Sequence, residues 1–301
     1  MSALATATAG TLVHPARRQR VKPGRMLLYA LLTAAVVYYA TPLLLVLTTS
    51  LKSMDEIRQG TIFTLPQSLD FTAWAKAWSS ACTGMQCEGL QAGFGNSLRI
   101  VVPSVVLSIL VGALNGYALS QWRSGFSRFV LASLMIGAFI PYQVVLFPLV
   151  RIFSTLHLYG TLPGIILIHV IFGLPYMTLL FYNFYQGVPQ EIVRAAKMDG
   201  AKFFATFFWI MLPMSTNVLV VAIIMQATGI WNDFLLGLIF AGRDNLPITV
   251  ELNNIVNTTT GVREYNVNMA ATLIAAIPPL AVYILSGRYF ARGIAAGAVK
   301  G

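Results

Sequence analysis

Six stretches without a charged residue, 26–51, 100–122, 129–150, 152–190, 203–232 and 265–287, divide the 301-residue chain. Each exceeds the ~20 residues that a helix needs to cross the hydrocarbon of a bilayer. Only 10% of the residues are charged and 57% are hydrophobic, with a mean hydropathy of +0.72, whereas a soluble domain carries about 25% charged residues. The fold class expected is an all-α membrane protein with six transmembrane helices. The net charge of +10 does not mark a nucleic-acid binder, because the 20 Lys and Arg are scattered along span boundaries. They form no basic face interleaved with base-stacking aromatics.

The positive charge sets the orientation. Arg17, Arg18, Arg20, Lys22 and Arg25 precede the first span. With that end in the cytoplasm, Arg123, Arg128, Arg194, Lys197, Lys202, Arg288, Arg292 and Lys300 also lie inside, thirteen of the 20. The positive-inside rule then puts both termini in the cytoplasm. A cleaved signal peptide is the alternative for residues 1–50, but the apolar run is longer than an ~7–15-residue signal core. Residues 1–25 read as a disordered cytoplasmic tail. Residues 26–92 carry the first span and a periplasmic segment, 93–288 the transmembrane core and 289–301 a second cytoplasmic tail. The spans are expected near 26–49, 97–120, 128–151, 161–185, 213–235 and 267–287. Pro103, Pro141, Pro148, Pro163, Pro175, Pro278 and Pro279 lie in or beside them, and interior prolines free carbonyls that a neighbour must satisfy, so these helices are built to pack and bend.

The outer segment after span one contains Leu65-Pro66 and the run from Trp74 to Trp78, which suits a short amphipathic piece on the membrane surface with interfacial aromatics. Cys82 and Cys87 fall in the same segment. A disulfide in an oxidising compartment is the favoured reading. Two unpaired thiols are the alternative, and two cysteines are too few for a structural zinc site.

Two absences narrow the function. There is no glycine–lysine phosphate loop, no His-Glu-x-x-His and no Gly-x-Ser-x-Gly, and His14, His157 and His169 are isolated, so neither a catalytic residue nor a metal site is expected. Ion-coupled carriers keep ionisable groups deep in the bilayer. Here the only carboxylate near a span is Asp233, at the outer end of span five, and His169 reads as a packing residue in span four. Transport by this chain would draw its energy from another subunit.

The inner loop between spans four and five is the most informative segment. Pro189 suits the first helical position, and Glu191 then lies in the first turn, where a negative charge meets the positive helix end. A helix of about 189–198 follows, broken at Asp199-Gly200, where glycine permits a positive φ. A second helix begins near Ala201 and runs into span five. Ala195, Ala196 and Ala201 are expected to form a smooth small-residue surface, with Phe203, Phe204, Phe207, Phe208 and Trp209 on the membrane-facing side. An amphipathic linker resting on the inner leaflet would account for the aromatics as well.

The run Pro189-Gln-Glu-Ile-Val-Arg-Ala-Ala-Lys-Met-Asp-Gly-Ala201, closing with Leu212-Pro213, resembles the EAA loop of binding-protein-dependent ABC importer permeases. Trp231-Asn232-Asp233-Phe234, Asn96-Ser97-Leu98 and the segment from Arg288 to Gly301 resemble the carbohydrate-uptake branch, on the side of the maltose permease's second subunit. The resemblance covers about 26–301. It implies a type I importer permease of the bacterial inner membrane, with a coupling-helix elbow formed by Pro189, Glu191, Arg194, Ala195, Ala196, Asp199, Gly200, Ala201 and Pro213. It also implies a second permease subunit, two copies of an ATPase that hold the ATP and magnesium, and a periplasmic sugar-binding protein. Arg194 stands where the motif's first glutamate usually stands. Either Glu191, one turn earlier, supplies that charge, or the ATPase presents a carboxylate to Arg194.

Sugar sites combine aromatic faces with amide or carboxylate hydrogen bonds. Asn115, Gln143, Tyr176, Asn183, Gln226, Trp231 and Asn232 supply such groups in or near the spans, although polar residues also bridge helices routinely. The segment 236–266, with Asn253, Asn254, Asn257 and three threonines in a row, reads as a polar outer loop able to reach the binding protein. The cysteine-containing insert resembles permeases of the glucose and mannose type. A monosaccharide is therefore the expected substrate, with an oligosaccharide or glycerol phosphate as alternatives and an ion-coupled carrier as the rival class.

Overall fold

The computed structural model describes residues 23–84, 86–122, 124–258 and 263–298, with side chains through Ser286. The expected N-terminal tail lies largely outside the described residues. Two compact units divide the chain, 1–45 and 46–301. The first holds most of α1 (Pro23–Ser50), which opens on a proline and whose apolar side chains, such as Leu31, Val36 and Leu43, are exposed.

In the second unit, α2 (Met54–Gln59) starts where the Ser53 hydroxyl accepts the Glu56 amide at 3.3 Å, with Asp55 and Glu56 in the first turn. Such a cap satisfies one of the open amides of a helix start. α3 (Thr72–Ser79) buries Ala73 and Ala77 and packs on the last helix, α14 (Tyr265–Ala298), and Lys76 pairs with Glu264, the residue just before that helix, at 2.5 Å. The tryptophan run is thus a docked helix, with Trp78 packed edge to face on Phe94. Cys82 and Cys87 are joined in a disulfide.

The centre is α4 (Gln91–Gln121) lying along α7 (Leu162–Gln186). Ser104, Ser108, Gly112, Gly116 and Ser120 recur every four residues on α4 and are buried. In lipid the hydrophobic effect does not drive helices together, so close approach over small residues does. The stripe admits Met177 and Phe181 of α7 against the α4 backbone. Thr161 caps α7 by accepting from the Gly164 amide at 3.1 Å.

Two expected spans are broken. Span three is α5 (Gly125–Phe139) and α6 (Tyr142–Thr155), which meet at 103°. The cause is Pro141, which drives Ile140 to φ −70, ψ 122 and out of the helix. After α8 (Gln190–Met198), span five begins as α9 (Phe203–Thr206), a π-helical turn Phe207–Met211 and α10 (Leu212–Met214). It bends by 80° at Ser215 into α11 (Thr216–Trp231). Among the described residues, by length and composition four helices, or up to six if each bent pair is one span, could cross a membrane.

The segment read as a polar outer loop is folded through Asn257, while Thr259 and Thr260 of its threonine run lie outside the described residues. It forms α12 (Leu235–Phe240), a 3₁₀ turn Arg243–Asn245 and α13 (Ile248–Asn257), and it buries Leu236, Phe240, Ile248, Val250 and Ile255. Asn96 donates to the Asp244 and Leu246 carbonyls, and Ser97 accepts from the Ile248 amide at 2.9 Å. The segment therefore docks on the start of α4. α14 stays helical through Ala298, across most of the expected second tail.

Candidate functional site: a helix elbow and a polar cavity

α8 begins one residue later than expected, with Pro189 at the cap at ψ 131 and Glu191 in the first turn. Val193 and Ala196 face inward at 2% and 5% exposure. Glu191, Arg194, Ala195 and Met198 are exposed at the three- and four-residue spacing of one helix face. The helix ends with the Gly200 amide donating to the Lys197 carbonyl and the Ala201 amide to the Ala196 carbonyl, at 3.0 and 2.9 Å. This paired closure is the Schellman arrangement, and it puts Gly200 at φ +83. Ala196 is thus an anchor and not part of the outer surface, and Ala201 is half-buried. Pro213 is exposed within α10.

The aromatic run divides. Phe204, Phe208 and Trp209 are exposed, as expected. Phe207 is buried and half-buried Phe203 turns inward. Phe203 stacks on Trp122 (5.5 Å, 7°) and on Tyr117 (4.9 Å, 29°), and Phe207 lies 5.7 Å from Tyr117. Tyr185 meets Tyr117 edge to face at 5.8 Å. These rings tie the elbow to the ends of α4 and α7.

A cavity of about 980 Å³ lies among α5, α7 and α11. Tyr176 lines it and donates its hydroxyl to the Ala138 carbonyl at 3.2 Å. Gln226 lines it and, 8% exposed, donates to the Ser108 hydroxyl at 3.1 Å. Its side chain crosses α7 at Gly173, where any Cβ would collide with the amide. Asn232 is exposed at the edge of the same cavity.

The other expected contacts lie elsewhere. Trp231 is a packing residue, donating to the Ala275 carbonyl at 3.0 Å with its ring 5.4 Å from Phe94. Asn115 borders a separate cavity of about 420 Å³ with Trp122 and Ser127. Asn183 and Gln143 are exposed and line neither.

Sequence reasoning passed over Tyr142 and Phe172, read His169 as a packing residue and named Asp233 only as a carboxylate at a span end and within a family-like run, yet all four line the cavity. The spacing of His169, Gly173 and Tyr176 on one helix face was the available signal. Asp233 also organises the next turn: its carboxylate accepts the Gly237 amide at 2.9 Å and its carbonyl accepts the Thr249 hydroxyl at 2.6 Å.

Residues 104–296 match the model of the family described as binding-protein-dependent transport system inner membrane component. A probable ABC transporter permease protein of Pyrococcus horikoshii is 36% identical over 287 residues, covering 94% of this chain and 100% of that one. The alpha-glucoside transport system permease protein AglG of Rhizobium meliloti is 36% identical over 225 residues, 72% of this chain and 58% of that protein. A chain from the crystal structure of a bacterial ABC transporter involved in the import of the polysaccharide alginate has the same fold. Its TM-score is 0.76 at 21% identity, over 92% of this chain and 100% of that one. The chain thus belongs to the binding-protein-dependent transport system inner membrane components, the permease subunits of ABC importers.

Proposed function

We propose that this chain is one permease subunit of a sugar importer of the inner membrane, with six spans, both bent pairs included, and both termini in the cytoplasm. α8 is its coupling helix. The observation that carries this reading is the α8 elbow: a helix anchored by Val193 and Ala196, closed at Gly200, and presenting Glu191, Arg194, Ala195 and Met198 outward. That face docks in a cleft of an ATPase, which binds the ATP and magnesium. Two ATPase copies serve this chain and a second, related permease. Closure of the ATPase pair carries the elbows together, and the helices rock to open the cavity towards a periplasmic sugar-binding protein.

Glu191 lies on the same exposed face as Arg194, one turn away, so it can supply the charge that Arg194 does not. Parental coupled ATPase activity and assembly in Arg194→Glu would fit this role for Glu191. A loss in that variant would instead place a partner carboxylate opposite Arg194.

For the substrate, XacI of Haloferax volcanii, 28% identical over 90% of this chain, is a xylose/arabinose import permease, which supports a monosaccharide. AglG and the diacetylchitobiose permease NgcG of Streptomyces coelicolor favour a second reading, a short glycoside. The deciding experiment is uptake of labelled glucose, mannose and maltose in cells lacking this chain, with and without complementation. Loss and rescue of one sugar names the substrate class. No change for any of them removes these three sugars, leaves the family membership standing and sends the search to other solutes.

A further inference from the structure

His169 lies on α7 one turn before Gly173 and two before Tyr176, and all three line the cavity of about 980 Å³. His169 is only 7% exposed, yet its ring nitrogens are not among the fully buried polar atoms without a partner, so they open onto the cavity they line. A ring nitrogen open to a cavity is free to hydrogen-bond what enters it.

The rest of the wall supplies what a neutral polyol needs. Tyr142 and Phe172 meet edge to face at 5.8 Å, and Tyr176 adds a third ring. Gln226 uses one amide hydrogen on Ser108 and keeps further hydrogen-bonding capacity at the cavity. No Lys or Arg is among the described residues that line it, so an anionic sugar finds no counter-charge there.

Resting on the sugar-importer reading above, we infer that this subunit holds its own sugar-binding site, in which His169 and Gln226 hydrogen-bond the hydroxyls of a neutral sugar against the Tyr142, Phe172 and Tyr176 rings. A neutral imidazole offers one donor and one acceptor, which matches two neighbouring hydroxyls. The site selects uncharged sugars over uronates and sugar phosphates.

The test uses the assembled importer in proteoliposomes with its binding protein and four labelled probes: glucose, mannose, maltose and glucuronate. The readout is sugar moved per ATP hydrolysed. His169→Leu is expected to lower it about tenfold for the preferred neutral sugar. His169→Gln, which keeps a donor and an acceptor, is expected to restore it to within about threefold. Parental coupling in His169→Leu, or equal losses in both variants, would overturn the site. Glucuronate as the preferred probe would overturn the neutral class. A parent importer that moves none of the four would instead overturn the assignment of these sugars as substrates, on which this inference rests.

Discussion

Gly200 offers the sharpest test of the elbow, because the structure separates conformation from crowding there. Its φ is +83, and a Cβ built on it would find no atom within 4 Å. A side chain at this position is therefore penalised for its backbone angle alone. For an ordinary L-residue the left-handed region costs ~1–2 kcal/mol, and a β-branched residue is a stronger outlier there. Asparagine tolerates the region best among non-glycine residues. A loss of ~1–2 kcal/mol reduces the population of the closed elbow by a factor of about 5–30. Transport and binding-protein-stimulated ATPase activity should therefore fall in the order glycine, asparagine, alanine, valine. Immunoblotting of washed membranes should show Gly200→Val inserted at parental levels, since nothing clashes. Parental uptake by a well-expressed Gly200→Val would refute the reasoning. Equal loss in the asparagine and valine variants would show that something other than the backbone angle is at work.

Three further outcomes are expected. Ser108→Ala strands the Gln226 amide in a buried site and should destabilise the purified protein by ~1–3 kcal/mol, read as a drop in thermal unfolding temperature that Gln226→Leu partly reverses in the double variant. Reducing the Cys82–Cys87 bridge, which closes a loop with a sequence separation of 5, should lower stability by ~2 kcal/mol, seen as a reductant-dependent melting shift that Cys82→Ser abolishes. Burial raises the Glu251 carboxyl above its ordinary value. A carboxyl raised on folding stabilises the fold while protonated, and loses that contribution as pH rises through its folded value. The stability of Glu251→Gln relative to the parent should therefore increase from acid to neutral pH in paired melts.

The sequence carried the elbow because its signals are local. Proline, an early glutamate and a breaking Asp-Gly lie within a dozen residues, and each acts on its immediate backbone. The apolar stretches likewise marked the span regions, since length and charge need no tertiary information. What escaped depends on contacts distant in sequence. Pro141 was legible as a bend but not as a turn of 103°, because its extent depends on what the two half-helices pack against. Segment 236–266 looked like a polar loop because its surface asparagines outweighed its spaced apolar residues, whose burial against α4 and α14 no local pattern reveals. The places of Trp231 and His169 escaped for the same reason. An indole near a sugar-family motif invites a ligand, yet Ala275 takes its N–H, while the isolated histidine that suggested packing lines the cavity.

The break at Ile140–Pro141 bears on how the cell must handle this chain. α5 and α6 have 15 and 14 residues and reach only about 21–23 Å each, short of a hydrocarbon layer ~30 Å thick. On the six-span reading proposed above the break falls at membrane depth, where the Tyr176 hydroxyl covers the Ala138 carbonyl and the Ile140 and Val144 amides take those of Gly137 and Pro141. Open carbonyls at that depth are tolerated against protein or water and not against acyl chains. On that reading, an orphan copy synthesised in excess of its assembly partners is expected to be a substrate for membrane quality control. Its half-life should track the supply of its assembly partners, so that gene dosage and co-translation set how much of the subunit accumulates.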